Sequence, residues 1–108
     1  MRELLLTALL AVLTACHAAH ASPRQIVFLP GKGSHGYGSH AFVAGSRLLA
    51  DLLNQTGLDL HAVVHEGGWP GDPSVLKDAA AVVVFCDANA VIGNRYAEAD
   101  ALAAKGVG

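Results

Sequence analysis

Short apolar runs alternate along residues 22–108 with longer stretches of helical periodicity. Residues 25–29, QIVFL, are short, rich in β-branched and aromatic side chains, and bounded by Pro30 and Gly31, which predicts a buried strand. In the next segment Phe42, Leu48, Leu49, Leu52 and Leu53 fall roughly on one face of a helix, with Arg47, Asp51 and Asn54 outside. Ser39 is placed to cap its start and Gly57 to end it. Residues 58–64 predict a second strand, with His61 on its wetter side. The stretch EGGWPGD, residues 66–72, reads as a loop by its glycines and proline, and residues 73–78 as one or two helical turns opened by Pro73. The clearest strand is 81–86, AVVVFC, whose lack of any polar side chain predicts cover on both faces. A last helix is expected over 94–104, with Tyr96, Ala99, Leu102 and Ala103 near one side. Gly106, Val107 and Gly108 then read as the approach to another strand.

Strands alternating with helices imply an α/β fold with a parallel sheet covered on both faces. Three strands make a thin version of that architecture, and the last helix needs sheet to pack on. Residues 22–108 are therefore expected to be the amino-terminal part of a longer domain, incomplete at the carboxyl end and of low stability alone.

Residues 1–21 follow another plan. Arg2 precedes an apolar run from Leu4 to Ala15, and small residues follow at plausible cut sites, the layout of a secretory signal. The run is short of the roughly 20 apolar residues that span a bilayer. Ala19-His20-Ala21 suits ordinary cleavage before Ser22. Leu13-Thr14-Ala15-Cys16 instead resembles a lipobox, in which Cys16 becomes a lipidated first residue and attaches the protein to a membrane. Either way the sequence predicts an exported protein.

Composition narrows the function classes. The chain of 108 residues carries a formal net charge of −2 and has neither a basic patch nor an RNA-binding aromatic pattern, so nucleic acid is not an expected partner. Of its two cysteines only Cys86 follows the leader, which leaves no disulfide framework. Its apolar neighbours mark Cys86 as a buried strand residue.

The chemistry concentrates in residues 26–40, IVFLPGKGSHGYGSH, where a strand runs into a glycine-rich loop before a helix. Three uses compete. Gly31, Gly33 and Gly36 formally satisfy the dinucleotide fingerprint GxGxxG, but the acidic residue expected about 20 positions on is absent, with Asp51 inside the helix and Glu66 too late. His35 and His40, joined by Asp87 at the end of the third strand, offer two imidazoles and a carboxylate to a metal ion. Their five-residue separation is no recognised ligand spacing, there is no HExxH, and a hydrogen-bonding His40 beside an exposed His35 explains them better, so no metal and no cofactor is assigned. The third use is recognition of a hydroxyl-rich small molecule by Gly33, Ser34, Gly36 and Gly38 in the loop, His35, His40 and Asp87, with Trp69 as a flat apolar wall or, equally, as a loop residue plugging the sheet edge.

Three blocks carry a resemblance: the SHGxGxH loop of residues 34–40, the GWP loop around Trp69 and Pro70, and VVVFCD ending in Asp87. In this order they look like the start of a ThuA-like, or trehalose-utilisation, domain, and the resemblance covers residues 25–108. It implies a flavodoxin-like three-layer α/β sandwich similar to class I glutamine amidotransferases, exported in many members and connected with carbohydrate metabolism. The family often has acidic residues around the second histidine and a glycine pair after the aspartate; this chain has Ser39 and Ala41, and Ala88 and Asn89, instead. An amidotransferase nucleophile is not expected at Cys86, which lacks the glycines of a nucleophile elbow. The expected function is binding or processing of a sugar-derived ligand. His35, His40 and Asp87 are the catalytic candidates: His40 would exchange a proton with a ligand hydroxyl, His35 and Asp87 would hydrogen-bond it, and Trp69 would stack on its ring. A non-catalytic binding or interaction module of an exported protein is the alternative.

Overall fold

The computed structural model describes residues 22–108, so the expected leader, with its two cut sites and Cys16, lies outside the described residues. The elements follow in the order β1 (Arg24–Pro30), α1 (Phe42–Asn54), β2 (Leu60–Val64), a 3-10 turn (Pro73–Leu76), β3 (Ala79–Phe85) and α2 (Tyr96–Ala104). The three strands form one parallel sheet in the order β2-β1-β3. The expected α/β class with a parallel sheet is thus present, as a small domain of three strands and two helices.

Its central strand owes its place to the apolar run. Val27, Phe28 and Leu29 are buried, and their alternation divides them between the two faces of the sheet. On one face Val27 and Leu29 join Leu76, Ala79 and Val91, with Trp69, Val82, Val84 and Leu102 packed around them. On the other, Phe28 and Ala62 meet Ala50 of α1, with Ile26, Val64 and Leu53 at the margin. One helix therefore covers each face.

Several expectations need correction. The buried residues of α1 are Phe42, Ser46 and Ala50, spaced by four, whereas Leu48, Leu49 and Leu52 are exposed. Small residues win the inward face because α1 lies close to the sheet: a Cβ on Gly45 would stand 3.0 Å from the ring of Phe85. Ser39 does not cap α1; the helix starts two residues later, with Ala41 at the cap position and no side-chain cap bond. Leu58 is exposed and β2 begins only at Leu60, while Tyr96, expected near the same side of the last helix as Leu102, is exposed. The other face of β3 is incompletely covered among the described residues, since Val83 and Phe85 keep about two-fifths of their surface open. Cys86 lies just beyond β3 and is half-buried.

Two contacts line the sheet edges, and the second lies where residues 106–108 were expected to approach another strand. The Asn54 amide donates to the Ala62 carbonyl at 2.9 Å and accepts from its N–H at 2.8 Å, closing part of the outer edge of β2. At the opposite edge Gly108 donates to Ala80 O at 3.0 Å and accepts from Val82 N at 2.9 Å, the hydrogen-bond pattern of a parallel rung beside β3. Among the described residues no helix is long and apolar enough to cross a membrane.

Candidate functional site

In a sheet ordered β2-β1-β3 the chain leaves β1 toward one side and returns on the other, so the loops after β1 and β3 part and leave a crevice at the carboxyl ends of those strands. The backbones meet closely at its floor. Gly31 N–H donates to Phe85 O at 2.9 Å, and a Cβ on Gly31 would lie 2.6 Å from Cys86 Cβ. Glycine stands there because nothing larger fits.

The loop after β1 then carries Ser34, His35 and His40 to Asp87, which follows β3. Ser34 Oγ is 2.8 Å from His40 Nδ1 and donates to Asp87 Oδ2. His40 Nδ1 lies 3.1 Å from each carboxylate oxygen of Asp87. With the serine proton given to the carboxylate, the serine oxygen and the carboxylate are both acceptors for a proton on His40 Nδ1. The other ring nitrogen, Nε2, is then the one with a lone pair to offer. The hydrogen bond from Ser34, more than the one from His40 or the nearby imidazoles of His40 and His35, holds the Asp87 carboxyl below its usual 3.8. His40 and Asp87 side chains are each 44% exposed, so a solute can reach them.

An aromatic ladder fixes this arrangement. The rings of His35 and His40 meet edge to face at 4.5 Å, His40 leans on Phe42 at 5.5 Å, and Phe42 meets Phe85 edge to face at 4.9 Å. Backbone strain marks the same place. His35, His40 and Ala88 are the only non-glycine residues with positive φ among the described residues, at 63°, 50° and 45°. Each costs on the order of 1 kcal/mol or more, and such strain concentrates at functional sites. The left-handed turn at His40 also explains why the helix starts beyond Ser39. Ala88 occupies a conformation that suits glycine better.

Two hollows open on either side of Ser34. One, of about 550 Å³, is bordered by Gly31, Gly33, Glu66, Gly68, Asp87 and Val91; the other, of about 530 Å³, is shallow and bordered by the loop from Gly33 to His40, including Gly36 and Gly38. Both are within the size range of small-molecule sites. His35, His40, Asp87, Gly33, Ser34, Gly36 and Gly38 are thus brought together.

Trp69 is not. Its indole packs against the apolar sheet face under α2 and donates from Nε1 to Glu98 Oε2 at 2.8 Å. Arg95 and this indole hold the Glu98 carboxyl below its usual 4.5. The loop after β2 passes over the β3 side, where the indole finds both apolar cover and a partner for its N–H, so the wall assigned to Trp69 is made instead by residues such as Val43 and Val91. Glu66 was passed over in the sequence except as a ribose partner. It borders the larger hollow and binds Arg47 of α1. Its position directly after a strand was the available signal. Comparison with protein-family models, with curated proteins and with solved structures finds no match for this chain.

Proposed function

We propose that this chain holds an exported ThuA-like domain of flavodoxin-like, three-layer architecture, which binds or processes a sugar-derived small molecule. The observation that carries the reading is the convergence of Ser34, His40 and Asp87, from two different loops, on the crevice between β1 and β3. The strand order β2-β1-β3 is that of the opening of a flavodoxin-like sheet, in which ligands bind at the β1/β3 parting. The three sequence blocks support the family reading, and the leader-like residues 1–21 support export and lipid attachment through Cys16.

The chemistry suits a polyol. Adjacent hydroxyls of a sugar present donors and acceptors together, and the site answers with a carboxylate that only accepts, a serine hydroxyl and two imidazoles. His40, oriented through Nδ1 by Asp87 and Ser34, takes a hydroxyl proton at Nε2 and returns it, while Asp87 stabilises the imidazolium that forms. His35 holds a second hydroxyl.

Calorimetric titration of the metal-free full chain with trehalose, glucose and a keto-sugar tests this. Saturable binding to at least one of them is expected, weakened at least tenfold in the His35→Ala, His40→Ala double variant. Equal affinity in that variant excludes the proposed site.

A further inference from the structure

We infer that His35, His40 and Asp87 form a binding site for a divalent transition-metal ion of the zinc class. One donor atom from each lies within 4.8 Å of the other two, although the residues come from two loops 47 positions apart. Two imidazole nitrogens and one carboxylate oxygen are the donor set that borderline ions such as zinc prefer over calcium or magnesium, which take oxygen. Spacing agrees with chemistry. Two ligands about 2.0–2.1 Å from a tetrahedral zinc stand about 3.3 Å apart, and His40 Nδ1 already lies 3.1 Å from Asp87 Oδ1. Closing His35 onto the same point takes a ring rotation within an exposed loop.

The surroundings fit a ligand set better than a chance cluster. Ser34 donates to Oδ2, which leaves Oδ1 for the ion and gives the carboxylate the kind of outer hydrogen bond that orients metal ligands. The ladder through Phe42 to Phe85 restrains the His40 ring. The strained backbone at His35, His40 and Ala88 holds both histidines and the segment after Asp87 in turns that ordinary residues avoid. Three protein ligands on an open surface leave a fourth position for water or for a ligand oxygen, the plan of a catalytic rather than a structural zinc. A bound zinc would replace the proton on His40 Nδ1, which would leave to solvent, and would supply Lewis-acid polarisation of a ligand hydroxyl.

The inference goes beyond sugar binding and is tested without sugar. The full chain, stripped with a chelator, is titrated calorimetrically with zinc alone, and bound metal is counted after dialysis. One zinc per chain is expected, with affinity lowered at least 100-fold by His35→Ala, His40→Ala and by Asp87→Asn, and unchanged by His61→Ala on β2 or by His17→Ala, His20→Ala in the leader region. Circular dichroism of the metal-free variants must match the parent, and cobalt in place of zinc must give the visible absorption of a tetrahedral ion with nitrogen and oxygen ligands. Absence of stoichiometric zinc, binding that survives loss of both loop histidines, or binding lost with His17 and His20 overturns the assignment. Sugar binding by the metal-free protein stands or falls separately.

Discussion

Gly31→Ala is expected to destabilise the chain by about 3 kcal/mol, the upper end of what overpacking costs, because the collision is with a Cβ that the backbone holds in place. The new Cβ would lie 2.6 Å from Cys86 Cβ and 3.2 Å from Cys86 Cα, and neither can swing away as the tip of a long side chain can. Relief requires β1 and β3 to separate where Gly31 N–H bonds Phe85 O, which also opens the crevice. Since small domains are only marginally stable, a loss of that size removes a large share of the total. Urea unfolding followed by circular dichroism reads the change. Gly36→Ala, where a Cβ meets nothing within 4 Å, is the control expected to unfold with the parent. A Gly31→Ala midpoint equal to the parent's would show that the two strand ends are not in contact.

Asp87→Ala is expected to weaken sugar binding by roughly 10- to 100-fold while leaving the unfolding midpoint within a few degrees of the parent's. Asp87 contacts both Ser34 and His40 and comes from the other side of the crevice. Without it the His40 proton has no carboxylate to favour Nδ1, and the ring turns freely between its two tautomers. Ser34→Ala removes one partner and leaves the pair of His40 and Asp87 intact, so its effect is smaller. Calorimetry and thermal unfolding of the same samples separate loss of site from loss of fold. Unchanged affinity in Asp87→Ala would remove that carboxylate from the site.

The alternation of strand and helix was legible in the sequence because it follows from apolar periodicity, and so was the parallel sheet. The meeting of Asp87 with the glycine loop was also legible, since both lie at carboxyl ends of strands. What could not be read is which neighbour wins a side chain. Leu48, Leu49 and Leu52 form an apolar helical face as good as the one that is buried. The close approach of α1 to Phe85, a tertiary fact, selects Ser46 and Ala50 instead. Trp69 is as plausible in a loop beside a sugar as under a helix, and only the position of Glu98 decides. His35 and His40 are five apart, a spacing without meaning on a helix or strand. Left-handed turns at both residues bring the rings edge to face. Backbone handedness at non-glycine residues leaves little trace in composition.

Amide chemical shifts of the isotope-labelled, metal-free chain during titration with the tightest-binding of the three sugars test the central claim most directly. The account predicts perturbations centred on Gly33 to His40 and on Asp87 and Ala88, with the rest of β2 and α2 unmoved. Perturbations centred on Trp69 and α2 instead, or none at saturating sugar, would contradict it.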